Sequence, residues 1–137
     1  MPDYKILLVD DDPEDRMIVH DGLRELGAGD VLEFAENGEL ALALLQKNAA
    51  DGITPCLIVL DLNMPKMNGT QILKMLKENP ALRQIPVIIY STSINPLEKE
   101  RCLQLGAHSY IIKPVSFKES IDTAHLFLQF CDPGHKK

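Results

Sequence analysis

Acidic, hydroxyl and ammonium side chains follow the apolar runs of this sequence. Asp10-Asp11-Asp12 follows the run at 6–9, Asp61 closes the run at 57–60, Ser91-Thr92-Ser93 follows 87–90, and Lys113-Pro114 follows 110–112. Carboxylates brought close together repel and resist joint ionisation. A hard divalent cation removes that conflict. Mg²⁺ prefers octahedral oxygen ligation, keeps several waters and commonly uses one or two carboxylates plus substrate phosphate. Carboxylates without His or Cys argue against zinc or copper. A carboxylate in such a group can act as nucleophile and become an aspartyl phosphate. A cation, a Lys ammonium and a hydroxyl would then stabilise the charge on the equatorial oxygens of the transferred group.

Each residue also has a plainer reading. Asp12 directly precedes Pro13 and reads as a helix cap rather than a ligand. Glu14 and Asp15 read as first-turn acids favoured by the helix dipole. Asp10 and Asp11 alone could be solvated loop acids, Lys113 alone a surface charge, and Ser91 alone a satisfied strand-end hydroxyl. Asp61 is harder to dismiss, because an acid closing a strongly apolar run costs desolvation unless it has a partner. Joint placement on one rim favours function.

The elements that must create that rim follow from the pattern. Runs at 6–9, 57–60, 87–90 and 110–112 are continuous, apolar and rich in Ile and Val, as strands covered on both faces read. A weaker run at 31–34 carries Glu33 and reads as an edge strand. Helical patterns lie between, near 13–26, 38–48, 70–78, 96–105 and 117–130, with Gly27 and Gly106 as stops. Strands alternating with helices give an α/β chain whose right-handed crossovers place helices on both faces of a parallel sheet. Ligands of such sheets bind at the carboxyl ends of the strands, which is where the polar groups fall.

Composition narrows the classes. The chain has 137 residues, 45% hydrophobic and 25% charged, one domain's worth with an ordinary core. A net charge of −6 makes nucleic acid a poor partner. No run is long enough to cross a membrane, and Met-Pro-Asp-Tyr-Lys at the start has no apolar signal region. Cys56, Cys102 and Cys131 have no metal spacing and read as buried reduced thiols, which suggests the cytosol. His20, His108, His125 and His135 show no metal spacing either.

These segments together resemble the receiver domains of two-component response regulators. They are Ile6-Leu-Leu-Val-Asp-Asp-Asp-Pro13, Ile58-Val-Leu-Asp-Leu-Asn-Met-Pro65 with Met67-Asn-Gly69, Pro86-Val-Ile-Ile-Tyr-Ser91, and Gly106-Ala107 leading to Tyr110-Ile-Ile-Lys-Pro114. The ordered set spans nearly the whole chain. The resemblance implies a flavodoxin-like, doubly wound five-stranded parallel sheet of order 2-1-3-4-5 with five helices, over a single domain, 1–137, without an effector domain. It implies Asp61 as phosphoacceptor, Asp10 and Asp11 as the metal-binding acids, and Asn63 as the residue whose backbone carbonyl completes a Mg²⁺ site. Ser91 matches the switch hydroxyl, Lys113 the lysine that pairs with a phosphoryl oxygen, and Tyr110 the aromatic that swings inward. The Lys113-Pro114 bond is typically cis in this family. Thr92 departs from the small residue common after the switch hydroxyl, which bears on the lifetime of the phosphorylated state. The implied partners are a sensor histidine kinase or phosphotransfer protein and a downstream protein target, in the manner of the chemotaxis regulator or of regulators that partner phytochrome-type kinases. Such a domain catalyses only its own phosphorylation and slow dephosphorylation, and is not an enzyme in the usual sense.

The last helix carries a second apolar stripe. Phe117, Ile121, Ala124, Leu128 and Cys131 fall on one face of a helical wheel, and Leu126, Phe127 and Phe130 on the other. The second group is expected to be exposed and to form a homodimer surface. Other functions fit less well. A nucleotide- or flavin-binding module would need a Gly- or Ser/Thr-rich phosphate loop after the first strand, where this chain is acidic. A phosphohydrolase with an Asp nucleophile usually has an acid two residues on, where this chain has Asn63. A receiver used only as scaffold would not need the intact residue set.

Overall fold

Short runs of branched apolar residues make the middle of the molecule because helices cover both their faces. The computed structural model describes residues 4–62, 64 and 69–131. Its strands are β1 (Ile6–Val9), β2 (Leu32–Ala35), β3 (Leu57–Asp61), β4 (Val87–Ser91) and β5 (Ser109–Ile112). Its helices are α1 (Pro13–Glu25), α2 (Gly38–Ala50), α3 (Gly69–Glu78), α4 (Pro96–Gln104) and α5 (Phe117–Leu128). The sheet is parallel throughout, in the order β2-β1-β3-β4-β5. This is the flavodoxin-like arrangement.

Alternation along each strand splits the core in two. Leu7, Val9, Ile58, Leu60, Val87 and Ile89 point to one face, where residues of α2 and α3 pack on them. Ile6, Leu8, Leu57, Val59, Ile88 and Tyr90 point to the other, where α1 and α5 pack. All residues of β1, β3 and β4 are buried, whereas the outer strands β2 and β5 are partly exposed.

Local chemistry sets the helix ends. Asp12 caps α1, its side chain accepting from the Glu14 N–H at 2.9 Å ahead of Pro13. Asn37, Asn95 and Ser116 cap α2, α4 and α5 in the same way. Gly27 (φ 76°) and Gly106 (φ 107°) end their helices in the left-handed region, as expected from their positions. Two boundary shifts matter. β3 extends to Asp61 and β4 to Ser91, so both polar residues are held by strand pairing rather than by loops. Val31 belongs to a short 3₁₀ turn (Gly29–Val31), and β2 starts one residue later than expected.

Two expectations are corrected here. Phe127 is not exposed. It is fully buried, with its ring edge-on to Tyr90 at 6.3 Å. The buried stripe of α5 runs through Ser120, Ala124, Phe127 and Leu128, while Phe117 is 57% exposed. The helix is rotated because it packs on the sheet and against α1 at once. A Cβ on Gly22 of α1 would stand 2.4 Å from the Ser120 carbonyl oxygen, so glycine alone permits that approach. Phe130 is half-buried, edge-on to His108 at 4.8 Å, and Leu126 is half-buried.

The cysteines are also not all reduced. Cys56, just before β3, and Cys131, just after α5, form a disulfide with Cα atoms 5.2 Å apart. Their separation of 75 residues hides the pairing from the sequence, but α5 runs antiparallel to the strands and returns its end to the start of β3. Cys102 is free and buried. Among the described residues no helix is long and apolar enough to cross a membrane.

Candidate functional site

The parallel register brings the polar groups together at the carboxyl ends of β1, β3, β4 and β5. Asp10 continues β1, its N–H donating to the Ala35 carbonyl at 3.1 Å. Asp61 pairs in register with Tyr90, and Ser91 with Ile112. The next N–H, that of Lys113, donates to the Ser91 carbonyl at 2.7 Å. Ladder pairing thus carries the lysine to the rim beside the Ser91 hydroxyl. The Lys113-Pro114 bond is trans, since the described residues contain no cis peptide. Strand register and its carboxylate partners aim Lys113 instead.

Its ammonium sits among three carboxylates, 3.3 Å from Asp61 Oδ1, 3.5 Å from Asp10 Oδ2, and in direct contact with Asp15 Oδ2. Asp15 is the residue that sequence reasoning missed. Its place in the first turn of α1 already satisfies the helix dipole, so nothing in the spacing asked for a second role. Asp10 and Asp61 are almost wholly buried, whereas Asp11 is exposed. Burial pushes the Asp10 carboxyl up to about 7, assisted by the charge of Asp61 and opposed by the Asp12 N–H and Lys113. Burial works against the Lys113 charge, but Asp15, Asp10 and Asp61 together outweigh it and push its pKa up to about 12.

Negative charge is in excess here. Oxygens of Asp10, Asp11 and Asp61 lie within 4.8 Å of one another. Asp10 Oδ1 accepts from the Asp12 N–H at 2.9 Å, but the buried Oδ2 accepts no hydrogen bond. An all-oxygen set that includes a buried carboxylate oxygen with an ion pair but no hydrogen bond fits a hard divalent cation.

A family model described as the response regulator receiver domain matches residues 6–125. The chain belongs to the response regulator receiver family. This receiver is 36% identical over 110 residues to chemotaxis protein CheY1 of Helicobacter pylori, covering 80% of this chain and 85% of that protein. It superposes on the phosphorylated cyanobacterial phytochrome response regulator RcpA with a TM-score of 0.82 at 30% identity, covering 93% of each chain. It also resembles the Mn²⁺-bound response regulator Rcp1, with a TM-score of 0.79, 31% identity and 93% of each chain covered. Other curated relatives are longer, and the chain spans 26% of one and 13% of another.

Within the receiver, Ser91 is buried at the end of β4. Tyr110 is turned inward, and two acceptors share its one hydroxyl proton, Glu98 Oε1 at 2.9 Å and the Ser93 carbonyl at 3.1 Å. Burial, with Glu98 contributing, raises the pKa of that phenol. Glu98 was not singled out in the sequence, because a charge in the first turn of α4 explains itself. Asn63 lies outside the described residues.

Proposed function

We propose that this receiver accepts a phosphoryl group on Asp61 from the phosphohistidine of a sensor histidine kinase or phosphotransfer protein. An Asp61 carboxylate oxygen attacks phosphorus, the P–N bond breaks, and the imidazole leaves and takes a proton. Asp10, Asp11 and Asp61, with the Asn63 carbonyl, would hold Mg²⁺. Bound there, the ion would neutralise charge on the carboxylates and on the transferred group. Lys113 supplies the fixed positive charge for a phosphoryl oxygen, and Ser91 supplies a hydroxyl donor. The observation that carries this reading is one ammonium within 3.5 Å of Asp10 and 3.3 Å of Asp61 on a rim where a buried Asp10 oxygen has no hydrogen bond.

Signalling follows as a population shift. A phosphoryl group on Asp61 competes with Asp15 and Asp10 for Lys113 and draws Ser91 toward it. Tyr110, already inward and tied to Glu98 on α4, passes the shift to the surface of α4 and β5. A downstream protein target reads that surface. Thr92, exposed beside Ser91, would screen the acyl phosphate from water. We place the protein in the cytoplasm, acting as a receiver without a separate catalytic activity. Leu126 and Phe130 remain the α5 residues for a homodimer contact, which Phe130→Glu would abolish in sedimentation at high concentration.

The test is intact mass after incubation with acetyl phosphate and Mg²⁺. Wild type gains one phosphoryl group, Asp61→Asn gains none, and chelation of the metal prevents the gain. An unmodified wild type would leave the scaffold reading standing.

A further inference from the structure

We propose that Cys56 and Cys131 are a reversible thiol–disulfide site that decides whether the last turn of α5 is fastened to the sheet. Both cysteines are half-buried, so a small thiol can reach them, while Cys102 is 0% exposed and takes no part. The reduced state is provided for on the Cys56 side. Its Sγ lies 3.2 Å from the Lys5 carbonyl oxygen, an acceptor that only a thiol can use. Apolar packing closes the core on both faces of the sheet, and both cysteines pack only on its margin.

The two ends differ in what else holds them. Cys56 is fixed by its N–H to the Lys5 carbonyl at 2.9 Å and leads straight into the buried β3. Cys131 stands just past the end of α5, where its N–H donates to the Leu128 carbonyl at 3.0 Å and its side chain packs on the margin of the core, a helix terminus with less backbone pairing than a buried strand. When the bond opens, it is therefore α5 that loosens. Phe130, whose N–H donates to the Phe127 carbonyl at 3.1 Å and whose ring rests on His108, is released with it. Phe127 and Leu128, fully packed, mark where the loosening stops.

The chemistry is exchange with an external dithiol. A reagent thiolate attacks one protein sulfur, and the other leaves as a thiolate and takes a proton. The reagent's second thiolate then attacks the mixed disulfide and frees the second protein thiol. The protein gains two electrons and two protons, and the dithiol becomes a disulfide.

The full chain, oxidised and after dithiothreitol in native buffer, is alkylated with iodoacetamide and weighed, and its amide exchange is mapped. The oxidised protein should take no label. The reduced protein should take two, keep its circular dichroism, and exchange faster by about tenfold or more at residues 129–131, with β1 and β3 unchanged. Oxidised glutathione should restore the first state. Cys131→Ser should exchange like the reduced protein and ignore dithiothreitol. Labelling only in denaturant, loss of the fold on reduction, or unchanged exchange at 129–131 in the reduced protein or the variant would each overturn the proposal.

Discussion

Asp10 has its ordinary carboxyl pKa of 3.8 pushed up to about 7, first by burial. In the metal-free protein the folded state therefore keeps a proton that the unfolded chain has already lost between about pH 4 and pH 7. Where the folded state holds more protons, stability falls as pH rises. Metal-free wild type should lose up to a few kcal/mol across that window. Asp10→Asn keeps an oxygen for the Asp12 N–H and removes the titration, so its urea midpoint should be nearly flat from pH 4 to 8. Added Mg²⁺ should stabilise wild type more at pH 8 than at pH 5, and Asp10→Asn little at either pH. A wild type whose stability does not fall between pH 4 and 7 would show that Asp10 ionises freely. This residue also shows what the sequence could tell. Asp10, Asp61 and Lys113 were legible because each ends an apolar run, and parallel strands bring their ends to one rim. Asp15 and Glu98 were not, because an acid in a first helical turn already has a local reason to be there.

The helices show the same boundary between what is local and what is not. Their starts could be read from Asp12-Pro13 and their stops from Gly27 and Gly106, since caps act over a few residues. The rotation of α5 could not, because it depends on how closely α1 approaches. Gly22 and Ser120 set that approach across almost the whole chain. Gly22→Ala should cost about 1–3 kcal/mol in urea unfolding, the range for overpacking, and toward its upper end because the obstacle is backbone. Phe127→Ala should cost about 3–5 kcal/mol, as truncation of a buried aromatic does. Phe130→Ala should cost clearly less. If Phe127→Ala were as mild as Phe130→Ala, the rotated register of α5 would be wrong and the outward-facing stripe would return.

At the scale of the molecule, the acidic rim and the disulfide lie at opposite ends of the sheet. Asp61 closes β3, and Cys56 stands just before the same strand begins. The bond closes a loop between residues 75 apart. Chain-entropy reasoning gives such a link about 4.5 kcal/mol through the unfolded state, an upper figure where that state keeps structure. A domain of this size typically has about 5–15 kcal/mol in all, so the reduced chain should stay folded with a lower midpoint. Cys131→Ser should accordingly melt on the order of 10 °C below oxidised wild type. It should still take one phosphoryl group from acetyl phosphate, because β1, β3 and β4 are buried and paired along their whole length between the two sites. An equal loss of phosphoryl uptake and of melting temperature would mean that the sheet transmits strain from end to end. Retained uptake with a lowered melting temperature would mean that the rim is built by strand register alone, and that the end of α5 is free to answer a second input.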